Sequence, residues 1–333
     1  AGYLPALFLY IRDMLSFLQK QFLPVGLVTV AVVGFFFPTP GIYMAGLPTQ
    51  YVAVSMIFLL SGLMLKTDEV HAALAAWKAT SWGCVSILFA TPLIGTAIAF
   101  KLPMEPSFQL GLALFCCMPT TLTSGVALTA QARGNVALAL FLTVLTNTAG
   151  ILTVPFVLAH LLGALGQVEL SAGDLFVKLC LSILLPLGVG KFLRRFAVDW
   201  INAQRPRLSL ASNAALITIP WMKFSESSER LALVETSSLL VLVLSGLGIH
   251  ALYLVFNGGV CALLRLESAA RKAVVLMTSQ KTLPVAMTVL AFLPESAVSP
   301  EMKGLIAIPC ITFHLGQIFM DAFIATRWGA QEA

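Results

Sequence analysis

Long apolar runs separated by short polar stretches fill almost the whole of this 333-residue chain. The runs fall at about 22–37, 50–65, 79–100, 107–129, 135–159, 172–190, 209–223, 236–264, 270–293 and 304–326. Roughly 20 apolar residues suffice to cross a bilayer as a helix. The pattern therefore predicts an all-α polytopic membrane protein with ten spans. The segment before the first run, residues 1–21, contains Arg12, Asp13 and Lys20. It is expected to be a lead-in helix lying partly in the interface.

Composition agrees with this reading. Hydrophobic residues make up 59% of the chain, charged residues only 11%, and the mean hydropathy is +0.93. Soluble domains carry about 25% charged residues, so this chain has too few to cover a water-facing surface. The net charge of +5 comes without a Lys/Arg-rich block or interleaved aromatics, which argues against nucleic acid as a partner. The bilayer is the expected partner instead. The six cysteines, Cys84, Cys116, Cys117, Cys180, Cys261 and Cys310, all sit in apolar runs. They read as small packing residues rather than a disulfide or zinc framework.

Loop charge gives the orientation. With the N-terminus inside, fourteen lysines and arginines fall in inside segments and four in outside ones, while Lys178 and Lys281 lie within spans. That bias fits the positive-inside rule, with both termini on the cytoplasmic-type side. Ten spans also divide into two fives, and an odd number makes the second half enter the membrane in the opposite sense. This is the arithmetic of an inverted repeat, with a first half over 22–165 and a second over 166–333. The longest basic loop is expected between Lys191 and Arg207.

Corresponding spans of the two halves each carry a polar break. One reads Pro119-Thr120-Thr121-Leu122-Thr123-Ser124-Gly125, the other Ser279-Gln280-Lys281-Thr282-Leu283-Pro284. Proline removes a backbone donor and clashes with the preceding turn. Unwound backbone at membrane depth persists only inside protein or beside water. The half-helix ends and freed carbonyls at such breaks can hold an anionic substrate and a cation. Two proline kinks packed by hydroxyls are the plainer alternative, but matching repeat positions favour a binding site.

Lys281 stands near the middle of the ninth span with no acidic neighbour there. A charge at that depth costs roughly 2.5–3.5 kcal/mol on insertion scales, so it should face the bundle interior. It is expected to bind a substrate carboxylate or to act as a fixed cation. An ion pair with Asp321 is the structural alternative. In the fifth span Thr143 and Asn147 share a face. In the tenth, His314, Gln317 and Asp321 are spaced i, i+3, i+7 and suggest a proton relay, a ligand wall or a polar seam. His250, Asn257 and Asn213 read as packing glue. The chain has no H-E-x-x-H, no Walker loop and no nucleophile elbow, so an enzyme is not expected, and transport would draw on a gradient.

The stretch from Gly111 to Thr129, with Arg133 to Leu138, resembles the bile acid:sodium symporter family. Ser279 to Pro284, and Pro309 with His314, Gln317 and Asp321, are similar to its plant plastid sodium/metabolite branch. The resemblance covers residues 22–328. It implies two inverted five-helix repeats, a panel domain of spans one, two, six and seven, and a core domain in which broken helices four and nine cross. It further implies alternating-access transport of a small organic anion bound between core and panel, in a plastid envelope. The site would comprise Thr120, Thr121, Thr123, Ser124, Gly125, Thr143, Asn147, Ser279, Gln280, Lys281, Thr282, His314 and Gln317. No cofactor is implied beyond sodium as coupling ion, expected at Ser124, Thr143 and Gln280. Several family sodium positions are replaced here: Gly125 stands at an Asn, Ala139 at a Ser, Leu276 at a Glu and Ile87 at a Gln. Coupling is therefore expected to be altered, with Lys281 partly replacing the ion. A sensor that keeps the fold without transport is the competing expectation.

Overall fold

The computed structural model describes residues 22–65, 76–121, 124–164, 171–295 and 298–331. The expected lead-in segment over 1–21 lies outside the described residues. Regular structure among the described residues is helical throughout. The first helices are α1 (Phe22–Phe36), α2 (Pro38–Ala45) and α3 (Thr49–Met64), followed by α4 (Trp77–Ala99). α5 (Pro106–Cys116) and α6 (Ser124–Gln131) flank the first break, and α7 (Val136–Ala164) follows. Then come α8 (Ala172–Arg194), α9 (Val198–Glu226), the short α10 (Ser228–Leu231) and α11 (Thr236–Leu263). α12 (Ser268–Ser279) and α13 (Leu283–Phe292) flank the second break, and α14 (Pro300–Ala330) completes the order.

Six helical segments among the described residues are long and apolar enough to cross a membrane: α4, α7, α8, α11, the broken pair α12–α13, and α14. α1 and α2 together would make a seventh, but they bend by 100° at Phe37. Pro38 opens α2, and its ring cannot continue the preceding ladder. The first apolar run therefore turns sharply where a straight span was expected. The basic stretch Lys191 to Arg207 is also not a loop. α8 runs to Arg194 and α9 starts at Val198, so most of it is helical. Pro206 sits inside α9 without ending it.

Helices α1, α2 and α3 pack on α9 and α8 packs on α3, while the remaining long helices pack around the breaks. The first group relies on close backbone approach. A Cβ at Gly62 would meet the Leu187 carbonyl, and one at Gly190 would meet the Leu59 carbonyl. Small residues that let two helices touch in this way are a common basis of membrane packing. Burial sets the second broken helix apart. The apolar window of α8 is 22% buried, whereas that of α12–α13 is 94% buried. The second broken helix is thus walled in by protein along its whole length.

Candidate functional site

Proline places both breaks. Pro119 cannot donate to the carbonyl four residues back and clashes with it, so α5 stops at Cys116. Pro284 acts in the same way toward Gln280, so α12 stops at Ser279 and α13 restarts at Leu283. The two unwound stretches then cross and satisfy one another. The Thr282 N–H donates to the Pro119 carbonyl at 2.9 Å. The Thr120 hydroxyl donates to the Met277 carbonyl. Thr121 Oγ1 donates to Gln280 Oε1 at 2.6 Å and accepts from the Gly125 N–H at 3.0 Å. A Cβ at Gly125 would press on Thr121 Oγ1, Met277 Sδ and Gln280 Oε1 at 2.6–3.0 Å, so any larger residue must push these side chains of the crossing aside.

Side chains from α7 close the first break. Asn147 Nδ2 donates to the Thr120 carbonyl at 3.0 Å and to the Thr143 carbonyl at 2.8 Å. Thr143 Oγ1 lies 2.8 Å from the Ala139 carbonyl and 3.4 Å from that of Thr121. The freed carbonyls of Pro119 and Thr120 therefore each have a donor, as buried backbone requires. Thr123 lies outside the described residues, and Ser124 opens α6. Among the three positions expected for sodium, Thr143 and Gln280 share Thr121 as a hydrogen-bond partner.

The second break is held by three helices. From α14, Gln317 grips the Lys281 peptide: its Oε1 accepts from the Lys281 N–H at 2.9 Å and its Nε2 donates to the Lys281 carbonyl at 2.7 Å. The same Nε2 donates to His314 Nδ1 at 3.0 Å, which puts the imidazole proton on Nε2. Asp321 accepts from Gln280 Nε2 at 2.6 Å and pairs with His250 Nε2 of α11 at 2.8 Å. His250 Nδ1 lies 3.2 Å from the Ser279 carbonyl, which can only accept, so Nδ1 donates.

α4 receives the Lys281 side chain. A π-turn over Ser86–Ala90 makes the Thr91 N–H bond to the Ser86 carbonyl, and Pro92 follows at once. In that register the Ile87 carbonyl would pair with residue 92, which has no N–H. Lys281 Nζ supplies the missing donor at 3.2 Å and also bonds Thr91 Oγ1 at 2.9 Å. The Tyr253 ring lies 5.9 Å from it. The side chain is fully buried. Its described polar partners are neutral, and Asp321 is committed to His250 and Gln280, so the alternative Lys281–Asp321 ion pair does not form.

Sequence reasoning underrated α11. His250, Tyr253 and Asn257 all join the network: Tyr253 OH donates to the Thr91 carbonyl at 2.6 Å, and Asn257 Oδ1 accepts from Ser86 Oγ at 2.6 Å. Their spacing is i, i+3, i+7, the same as His314, Gln317 and Asp321 on α14. The repeated spacing was the available signal. Four buried polar atoms at the crossing have no hydrogen-bond partner among the described residues: Asn147 Oδ1, Ser279 Oγ, Thr282 Oγ1 and His314 Nε2. All come from the expected site residues.

Apolar helices around two interlocked, polar, unwound segments define the class of membrane transporters. The chain belongs to the SBF-like CPA transporter family, whose model matches residues 21–330. It is 36% identical to the Arabidopsis thaliana protein named probable sodium/metabolite cotransporter BASS4, chloroplastic, over 95% of this chain and 74% of that protein. It is 28% identical to Xenopus laevis sodium/bile acid cotransporter 7-A, over 93% of this chain and 92% of the relative. It is 26% identical to the Escherichia coli putative symporter YfeH, over 92% of each. Relatives named as cotransporters point to a transporter rather than an enzyme.

Proposed function

We propose that this protein is a secondary active transporter that moves a small organic anion across a membrane by alternating access. In this reading ten spans form two inverted five-helix repeats, over 22–165 and 166–333. The group around α9 is the panel, and the group around the breaks is the core. Substrate binds where core meets panel. The observation that carries the reading is the crossing itself. Buried backbone is unwound in both segments, and polar atoms of Asn147, Ser279, Thr282 and His314 are left without partners among the described residues. Such atoms are costly to bury unpaired, at about 1–3 kcal/mol each, and a polar ligand relieves that cost. His314 Nε2–H and the Thr282 hydroxyl offer donors to a carboxylate.

Sodium coupling is weakened or absent in this reading, because Lys281 brings its own positive charge to the crossing. Names of the plant relatives support a plastid envelope as the membrane. The test is uptake by proteoliposomes of labelled mono- and dicarboxylates, with and without a sodium gradient. Saturable uptake of one class, lost in Lys281→Ala, is expected. Full sodium dependence in the wild type, unchanged in Lys281→Ala, would overturn the role of the lysine. No flux under any gradient would overturn transport and leave a sensor built on the same fold.

A further inference from the structure

Away from the crossing, a groove of about 390 Å³ opens where the ends of α11, α12 and α14 meet. That volume is in the range of small-molecule sites. One end of the groove is basic, with Arg271 and Lys272 near the start of α12. Lys272 is nearly buried and already engaged by protein, whereas Arg271 is exposed. No acidic residue lines the groove among the described residues. The rest of the lining is mainly apolar, including Val255 and Ile324, with Trp328 beside them. Gly258 lies in its lining, and a Cβ there would meet nothing within 4 Å.

Three features identify what fits. The apolar window of α11 is only 28% buried, and Val255 is 74% exposed. This side of the helix therefore faces hydrocarbon in a membrane. A cationic head end joined to an apolar wall matches an amphiphile, since a soluble anion would gain nothing from the wall. The exposed positive charge of Arg271 selects an anionic head over a zwitterionic one. Tryptophan near such a boundary is the usual marker of interfacial depth.

We infer that this groove binds one anionic phospholipid, its phosphate at Arg271 and one acyl chain laid along Val255 and Ile324 over Gly258. The site is independent of the carrier reading. The test uses the full chain in nanodiscs of phosphatidylcholine, alone or with added phosphatidylglycerol. The readouts are the lipid retained in native mass spectrometry and the thermal midpoint. The wild type is expected to retain phosphatidylglycerol selectively and to melt higher with it. Arg271→Gln should weaken that retention about fivefold. Gly258→Leu, which fills the floor and leaves the arginine in place, should weaken it too. Should Gly258→Leu fail to fold, Arg271→Gln decides, because the side chain it alters is exposed. Equal retention of both lipids, or wild-type selectivity in Arg271→Gln, would overturn the inference. So would a matching thermal shift from inorganic phosphate alone, which would assign the groove to a soluble anion.

Discussion

The two breaks have the same cause and different chemistry. At the first, from Cys117 to Thr121, neutral threonines and Asn147 serve the freed carbonyls, and Gly125 makes room. At the second, Gln280 to Thr282, the supporting side chains include Lys281, His250, His314 and Asp321, drawn from or bound to three other helices. The first break works as a rigid acceptor surface against which the second is set. Ionisable groups gather only around the second among the described residues, so any response to charge should originate there. Proline sets where a helix opens. The neighbouring helices set what the opening can do.

This contrast can be broken or sharpened by substitution, read as thermal unfolding in detergent and as flux. Asp321→Leu should have the largest effect. It leaves His250 and Gln280 buried without their acceptor, and removing one member of such a buried pair costs about 3–5 kcal/mol. Gly125→Ala should come next, at about 1–3 kcal/mol, because its Cβ overpacks three atoms of the crossing. Comparable losses from these two would mean that the breaks are energetically alike. Thr120→Val removes one hydroxyl bond to Met277 and should cost about 1 kcal/mol. Ser279→Ala should not destabilise the protein, since it removes a buried hydroxyl that has no described partner. A flux defect in Ser279→Ala at wild-type stability would mark that hydroxyl as a substrate contact.

Much of this was legible in the sequence. Apolar run length gave the helices, and Pro119 and Pro284 gave both breaks, because a missing N–H acts locally. Thr120, Thr121, Gln280, Lys281 and Gln317 were picked out as polar residues in apolar surroundings, and they do meet. The partners of Lys281 were hidden. The Ile87 carbonyl is backbone, and it becomes available only through the π-turn before Pro92, which apolar periodicity does not encode. His250 reads as packing from the sequence because a lone histidine in an apolar helix usually is. The bend at Phe37 is carried by Pro38, much as Pro119 and Pro284 carry the breaks, whereas the helical course of the Lys191–Arg207 stretch is not encoded in its charge.

The near-complete burial of α12–α13 bears on how the protein is made. This segment is apolar enough to enter a bilayer, yet in the finished fold it hardly meets lipid. Inserted alone, it would expose the Lys281 charge and the open peptide groups of the break to hydrocarbon. Gln317 and Asp321, which relieve them, are on α14, and α14 is translated after the broken pair. Assembly of the crossing therefore waits for α14, and until then the half-made chain carries its most polar segment in its least hospitable place. Truncation before α14 should yield a chain that is recognised and degraded by membrane quality control rather than a smaller stable core.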